Sequence, residues 1–151
     1  MRNLSQHLAR IAVTLWVGGI WAIGYITAPV LFSSLSDKQL AGNLAGSMFS
    51  VMAYVGIVCG VYLLFQRLVS VGGVAFKQAF FWVALIMLLL TLAGHFGIQP
   101  ILESLKQQAM PKAVMESIFH DRFVRWHGIS SIVYLIESLL GLVLVFKQAN
   151  K

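Results

Sequence analysis

Residues 78–102 read QAFFWVALIMLLLTLAGHFGIQPIL and contain no charged side chain. A helix rises about 1.5 Å per residue, so ~20 apolar residues cross a hydrocarbon core of ~30 Å. This stretch exceeds that length. Three others match it: 11–36, 39–66 and 126–146. The four together carry one formal charge, Glu137. Lipid offers no partner to an unpaired backbone amide, so each stretch must be a helix and not an open strand. The sequence therefore predicts an all-α, integral membrane four-helix bundle with antiparallel neighbours. It forms a single transmembrane domain over 1–151, with helices at about 7–32, 39–66, 77–99 and 112–146.

Composition agrees. Charged residues make up 11% of the chain, against about a quarter in soluble domains. The net charge is +6, but the bases are scattered through the connections and form no run. This excludes nucleic acid as a partner, because such surfaces are clustered, and points to the lipid bilayer. The lone cysteine, Cys59, excludes a disulfide within the chain and any zinc-type spacing. It reads as a small hydrophobe within the bundle. Arg2 and Arg10 give a basic start, but the apolar region beginning at Ile11 runs beyond Pro29. Signal-peptide cores span about 7–15 residues, so the first helix reads as retained.

Short cytoplasmic connections are enriched in Lys and Arg. With both termini inside, the inner segments carry Arg2, Arg10, Arg67, Lys77, Lys147 and Lys151 and no acid. The outer segments mix five bases with Asp37, Glu103, Glu116 and Asp121. The localisation predicted is the cell's inner (plasma) membrane, with both termini cytoplasmic.

Along the chain, small residues on the second helix recur at spacings of three and four. Gly42–Gly46 and Gly56–Gly60 are both GxxxG pairs. Small faces let helix backbones approach in lipid, where packing replaces hydrophobic drive. These pairs predict a seam with Gly18 and Gly19 of the first helix. Pro29 falls near the outer end of helix one, and Pro100 is expected to end helix three. Pro111 suits the first turn of a new helix. Met115, Phe119, Phe123 and Trp126 follow on one stripe. Helix four is thus expected to begin near Pro111 as an outer amphipathic extension.

Two groups of residues could carry chemistry. Glu137 falls near the bilayer midplane, where a carboxylate is expensive and a neutral acid is the expected resting form. Trp21 and Tyr54 lie at similar depth and are the expected hydrogen-bond partners, as a proton relay or a buried polar tie. The second group is His95, His127 and His120, all towards the outer side. Imidazole suits zinc, copper, iron or haem. His95 and His127 are expected to meet in a polar pocket with Tyr25 or Asn43. A polar stripe on a membrane helix should face the bundle interior. No serine–histidine–aspartate set, paired carboxylates or phosphate loop can be argued from the sequence, so binding or transport is read ahead of catalysis.

Leu15-Trp16-Val17-Gly18-Gly19, Ala28-Pro29-Val30-Leu31-Phe32, Ala41-Gly42 with Phe49, and Phe123-x3-His127-Gly128-x-Ser130 resemble a domain-of-unknown-function membrane family related to transmembrane protein 205. That family is distantly similar to four-helix membrane proteins of the copper-resistance D type and to a haem-binding protoporphyrinogen oxidase. The resemblance implies His95 or His127 as a metal or haem ligand. For haem it also implies a histidine at the helix-one signature Leu15-Trp16-Val17-Gly18-Gly19, and none stands there. Three functions follow. The chain binds or conducts a small ligand, metal ion or proton within its bundle. Alternatively, it is an interaction subunit packing against a membrane partner or a second copy of itself. The third reading is a haem-binding redox protein.

Overall fold

The computed structural model describes residues 2–149; Lys151, counted above among the inner bases, lies outside them. The described residues contain no strand and form four rods. In the first, α1 (Arg2–Ala22) passes through a π-helical turn, Ile23–Thr27, into α2 (Ala28–Ser34). The second is α3 (Lys38–Val71), closed by a 3₁₀ turn at Gly72–Lys77. In the third, α4 (Ala79–Leu92) passes through a π-turn, Ala93–Ile98, into α5 (Gln99–Ala109). The fourth is α6 (His120–Ala149). Each rod holds a segment long and apolar enough to cross a membrane: Leu4–Ser34, Lys38–Lys77, Ala79–Ala109 and His120–Gln148. The chain is a multi-pass membrane protein built as a four-helix bundle.

α1 and α4 each pack against both α3 and α6, so rods one and three face each other across the bundle. We call the end bearing both termini the near end and the opposite end the far end. The core between the rods is Val13, Trp16, Leu63, Ala84, Met87 and Leu144. Cys59 joins it as a buried free thiol. Val51, Val58, Val69 and Phe146 point outward, where lipid solvates them.

Local chemistry sets the rod ends. The Asp37 carboxylate accepts from the amides of Gln39 at 2.9 Å and Leu40 at 3.0 Å, capping α3. At the other end Gly72 takes φ 57°, a left-handed conformation that glycine enters without steric cost. Its N–H caps the Leu68 carbonyl. Near that end the Arg67 side chain is buried, donates to the Gln78 amide oxygen and lies over the Phe80 ring.

The structure corrects two boundaries. Pro100 does not end helix three, because α5 continues to Ala109. Within an α-helix a proline clashes with the carbonyl four residues back and removes one hydrogen bond. Here the preceding turn is already widened, with the Gln99 N–H reaching the Gly94 carbonyl five residues back. Pro29 follows the first π-turn in the same way, and α2 runs on to Ser34. Helix four does not begin at Pro111 or residue 112. Ala113 and Ser117 have extended backbone on either side of a short 3₁₀ turn, Val114–Glu116. The Ser117 hydroxyl donates to the Val114 carbonyl at 2.8 Å and accepts from the Phe119 amide at 3.1 Å, a local bonding that competes with helix. α6 starts at His120 and runs unbroken through Gly128. The amphipathic extension therefore belongs to rod three. Leu105, Ala109 and Val114 form a small far-end core there, on which Phe119, Phe123 and Trp126 pack. Met115 stays exposed.

Candidate functional site: a buried carboxyl and a polar cleft

Trp16 is the largest fully buried side chain. Its indole lies in a socket formed by two missing side chains on α3. A Cβ at Gly56 would stand 2.5 Å from its Nε1, and one at Gly60 would stand 2.9 Å from its Cη2. Gly19 makes the same kind of room for the Met52 thioether. The glycine seam between α1 and α3 thus admits large side chains. Gly18 faces open space, and Gly42 is only in ordinary contact with Phe32.

The same indole lies beside Glu137, whose residue is 6% exposed. Its carboxyl is 2.5 Å from the Thr91 hydroxyl on α4. Thr91 Oγ1 also lies 2.9 Å from the Met87 carbonyl. A hydroxyl has one proton and cannot donate to both oxygens. A protonated Glu137 donating to Thr91, with Thr91 donating to Met87, fills both contacts. The expected partners do not serve. Trp21 donates instead to the Ser138 carbonyl at 3.2 Å, and Tyr54 is 56% exposed, packed edge-on against His95. Depth brought the right level, but helical phase turns both side chains away: Trp21 is five residues, or about 140° of arc, from Trp16.

Tyr25 is also diverted. Its hydroxyl shares a 2.7 Å hydrogen bond with the Ser138 hydroxyl. Tyr134 lies over Gly24 of the first π-turn and donates to the Ile20 carbonyl at 2.5 Å. Trp21, Tyr25, Tyr134 and Ser138 thus tie α1 to α6 just beyond Glu137.

A cleft of about 660 Å³ opens on the other side of rod three, at the far end. Past its π-turn, rod three turns from α3 towards α6, where Leu105 and Ala109 anchor it. This leaves a gap between α3 and α5. The α3 wall is Asn43, Gly46, Ser47, Ser50 and Tyr54. The opposite wall is His95, Phe96, Gln99, Pro100, Glu103 and Lys106. Lys106 Nζ bridges the far end, donating to the Asn43 side-chain oxygen at 3.3 Å and pairing with Glu103 at 3.7 Å. Gly46 lines the gap, where a Cβ would be in ordinary contact with Gln99 Nε2 at 3.5 Å and Lys106 Nζ at 3.8 Å.

His95 sits inside the second π-turn, a deformation frequent at functional sites, and its ring meets Tyr54 and Phe96 edge-on. His127 does not line the cleft. It is exposed and stacks on Phe123. His120 contacts its neighbour Asp121 at 2.9 Å. Among the described residues, no group of three or more His, Cys, Asp or Glu stands close enough to hold a metal ion. Asn43 lines the cleft with His95, as the sequence reading expected, and Tyr25 does not. Sequence reasoning missed Thr91, Trp16, Gln99 and Lys106. Thr91 carried a signal, as the one hydroxyl in the apolar run 79–93.

A family model described as a domain of unknown function, DUF4149, matches residues 11–111. No curated protein and no solved structure matches the chain. The matched segment holds every residue of the cleft and the Trp16 socket, while Glu137 lies outside it.

Proposed function

We propose, from the premise that the chain belongs to the DUF4149 family, that it is a plasma-membrane binding or transport protein whose small polar ligand is held in the far-end cleft. The cleft carries this reading. Its volume falls within the range of small-molecule sites, roughly 300–1,000 Å³. Its walls place polar side chains on membrane helices, where such groups are costly and by default functional. His95 is the floor group, and Glu137, hydrogen-bonded to Thr91 one helical turn nearer the near end, is a separate buried proton carrier.

Native mass spectrometry of the full chain from mild detergent tests the reading. Wild type should carry a bound non-protein mass that Gly46→Leu loses, because leucine there fills the cleft. Gly18→Leu, whose added side chain meets open space, should keep it. Equal retention in both variants, or none in wild type, would refute the reading. The acid-free near-end segments support cytoplasmic termini. A cysteine placed at position 106 should react with an impermeant maleimide only from outside the cell, the native Cys59 being buried. Labelling only from the cytoplasm would reverse the orientation.

A further inference from the structure

We infer that the cleft takes the zwitterionic, phosphate-bearing head of a membrane amphiphile whose hydrocarbon stays in the bilayer. This rests on the cleft reading above and names its ligand class. Three observations converge.

The first is access. The cleft opens between rods two and three, and its rim residues Tyr54 and Phe96 are exposed on the lipid-facing surface. From Asn43 to Tyr54 the α3 wall descends about 16 Å by helical rise. Polar side chains line it throughout, from the far end of the rod to near its middle. A ligand can therefore enter sideways from the far leaflet.

The second is charge. Lys106 and Glu103 are the cation and anion of the walls. The Lys106 side chain is only 17% exposed, while that of Glu103 is 51% exposed, and they stand 3.7 Å apart. A phosphate accepting from Lys106 and from the Asn43 and Gln99 amides forms charge-assisted hydrogen bonds. An ammonium on the same head donates to Glu103. A purely anionic head engages Lys106 but brings Glu103 no donor of its own.

The third is an apolar groove of about 230 Å³ on the adjoining flank of α3, lined by Ile23, Met48 and Val51, with Ser47 lining both it and the cleft. It suits a hydrocarbon chain and has no use for a soluble ligand.

The full chain in non-ionic detergent would be mixed with phosphatidylethanolamine, phosphatidylglycerol or soluble phosphoethanolamine, and retention read by native mass spectrometry. Phosphatidylethanolamine should be retained over phosphatidylglycerol. Lys106→Gln should lower its retention about tenfold, as expected for losing a charged hydrogen bond, and Lys106→Arg should restore most of it. Glu103→Gln should erase the preference between the two lipids; because Glu103 is half exposed, this variant tests the inference even if Lys106→Gln fails to fold. Equal retention by wild type, Gly46→Leu and Lys106→Gln would mark non-specific lipid and overturn the inference. Retention of phosphoethanolamine without the lipid, or of an unrelated mass lost in Gly46→Leu, would overturn the amphiphile while leaving the cleft reading intact. No retained mass in wild type would overturn both.

Discussion

Gly56→Leu should destabilise the bundle by about 3 kcal/mol or more, the upper range for overpacking a filled interior. Even the first atom of the new side chain would stand 2.5 Å from Trp16 Nε1 and 3.0 Å from Cδ1. The indole has nowhere to withdraw. It is 1% exposed, its far edge is already against Gly60, and Glu137 lies beside it. Relief requires α1 and α3 to separate, which empties the core around Val13 and Leu63. Thermal unfolding in detergent, followed by circular dichroism, measures the effect, with Gly18→Leu as a lipid-facing control. A melting temperature for Gly56→Leu equal to that of the control would show that Trp16 is not confined as described.

Glu137→Lys should abolish folded protein, whereas Glu137→Gln should remain near wild type. An ammonium at a helix centre costs about 2.5–3.5 kcal/mol on insertion scales. The groups facing Glu137 from the packed helices, Thr91 and Trp16, offer no carboxylate to offset that. Glutamine differs because its amide can donate to Thr91 as the protonated acid does, leaving the Thr91 hydroxyl free to serve the Met87 carbonyl. Thr91→Val removes that acceptor and should cost about 1–3 kcal/mol, the penalty for an unsatisfied buried polar group. Folded yield and melting temperature of the three variants decide the matter. If Glu137→Gln proved as damaging as Glu137→Lys, the buried carboxyl would be required in its charged form, contrary to the hydrogen-bond pattern.

The charge-free lengths at 11–36, 39–66, 78–102 and 126–146 were enough to place four membrane helices, because crossing a bilayer is a requirement on length and polarity alone. The singular position of Glu137 was equally legible, since a lone acid in such a run has no other explanation in lipid. His95 and Asn43, expected in one pocket together with His127, line a cleft without it. Depth failed for Trp21, Tyr54 and Tyr25, which sit at the expected level but on other faces. It failed as well for His127, which shares the far end with His95 but lies outside the cleft.

Azimuth is what the chain's order could not supply. Each π-turn inserts about one residue into a helix, rotating everything beyond it by about 100°. Gly94 and Gly97 mark Ala93–Ile98 as weak helix, but neither says that the turn widens or how far it rotates the rod beyond it. The prolines at 29 and 100 look like terminators in isolation, and only the widened turns before them let their rods continue. The cleft exists because rod three, past its π-turn, is held to α6 by Leu105, Ala109, Phe119 and Phe123, residues far apart in order. The sequence by itself therefore determined how many times the protein crosses the membrane and which polar groups are carried inside. Tertiary structure alone decided which of those groups meet: side-chain direction around a helix depends on its local winding and on the neighbour it packs against, and in lipid no hydrophobic gradient between the helices favours one face over another.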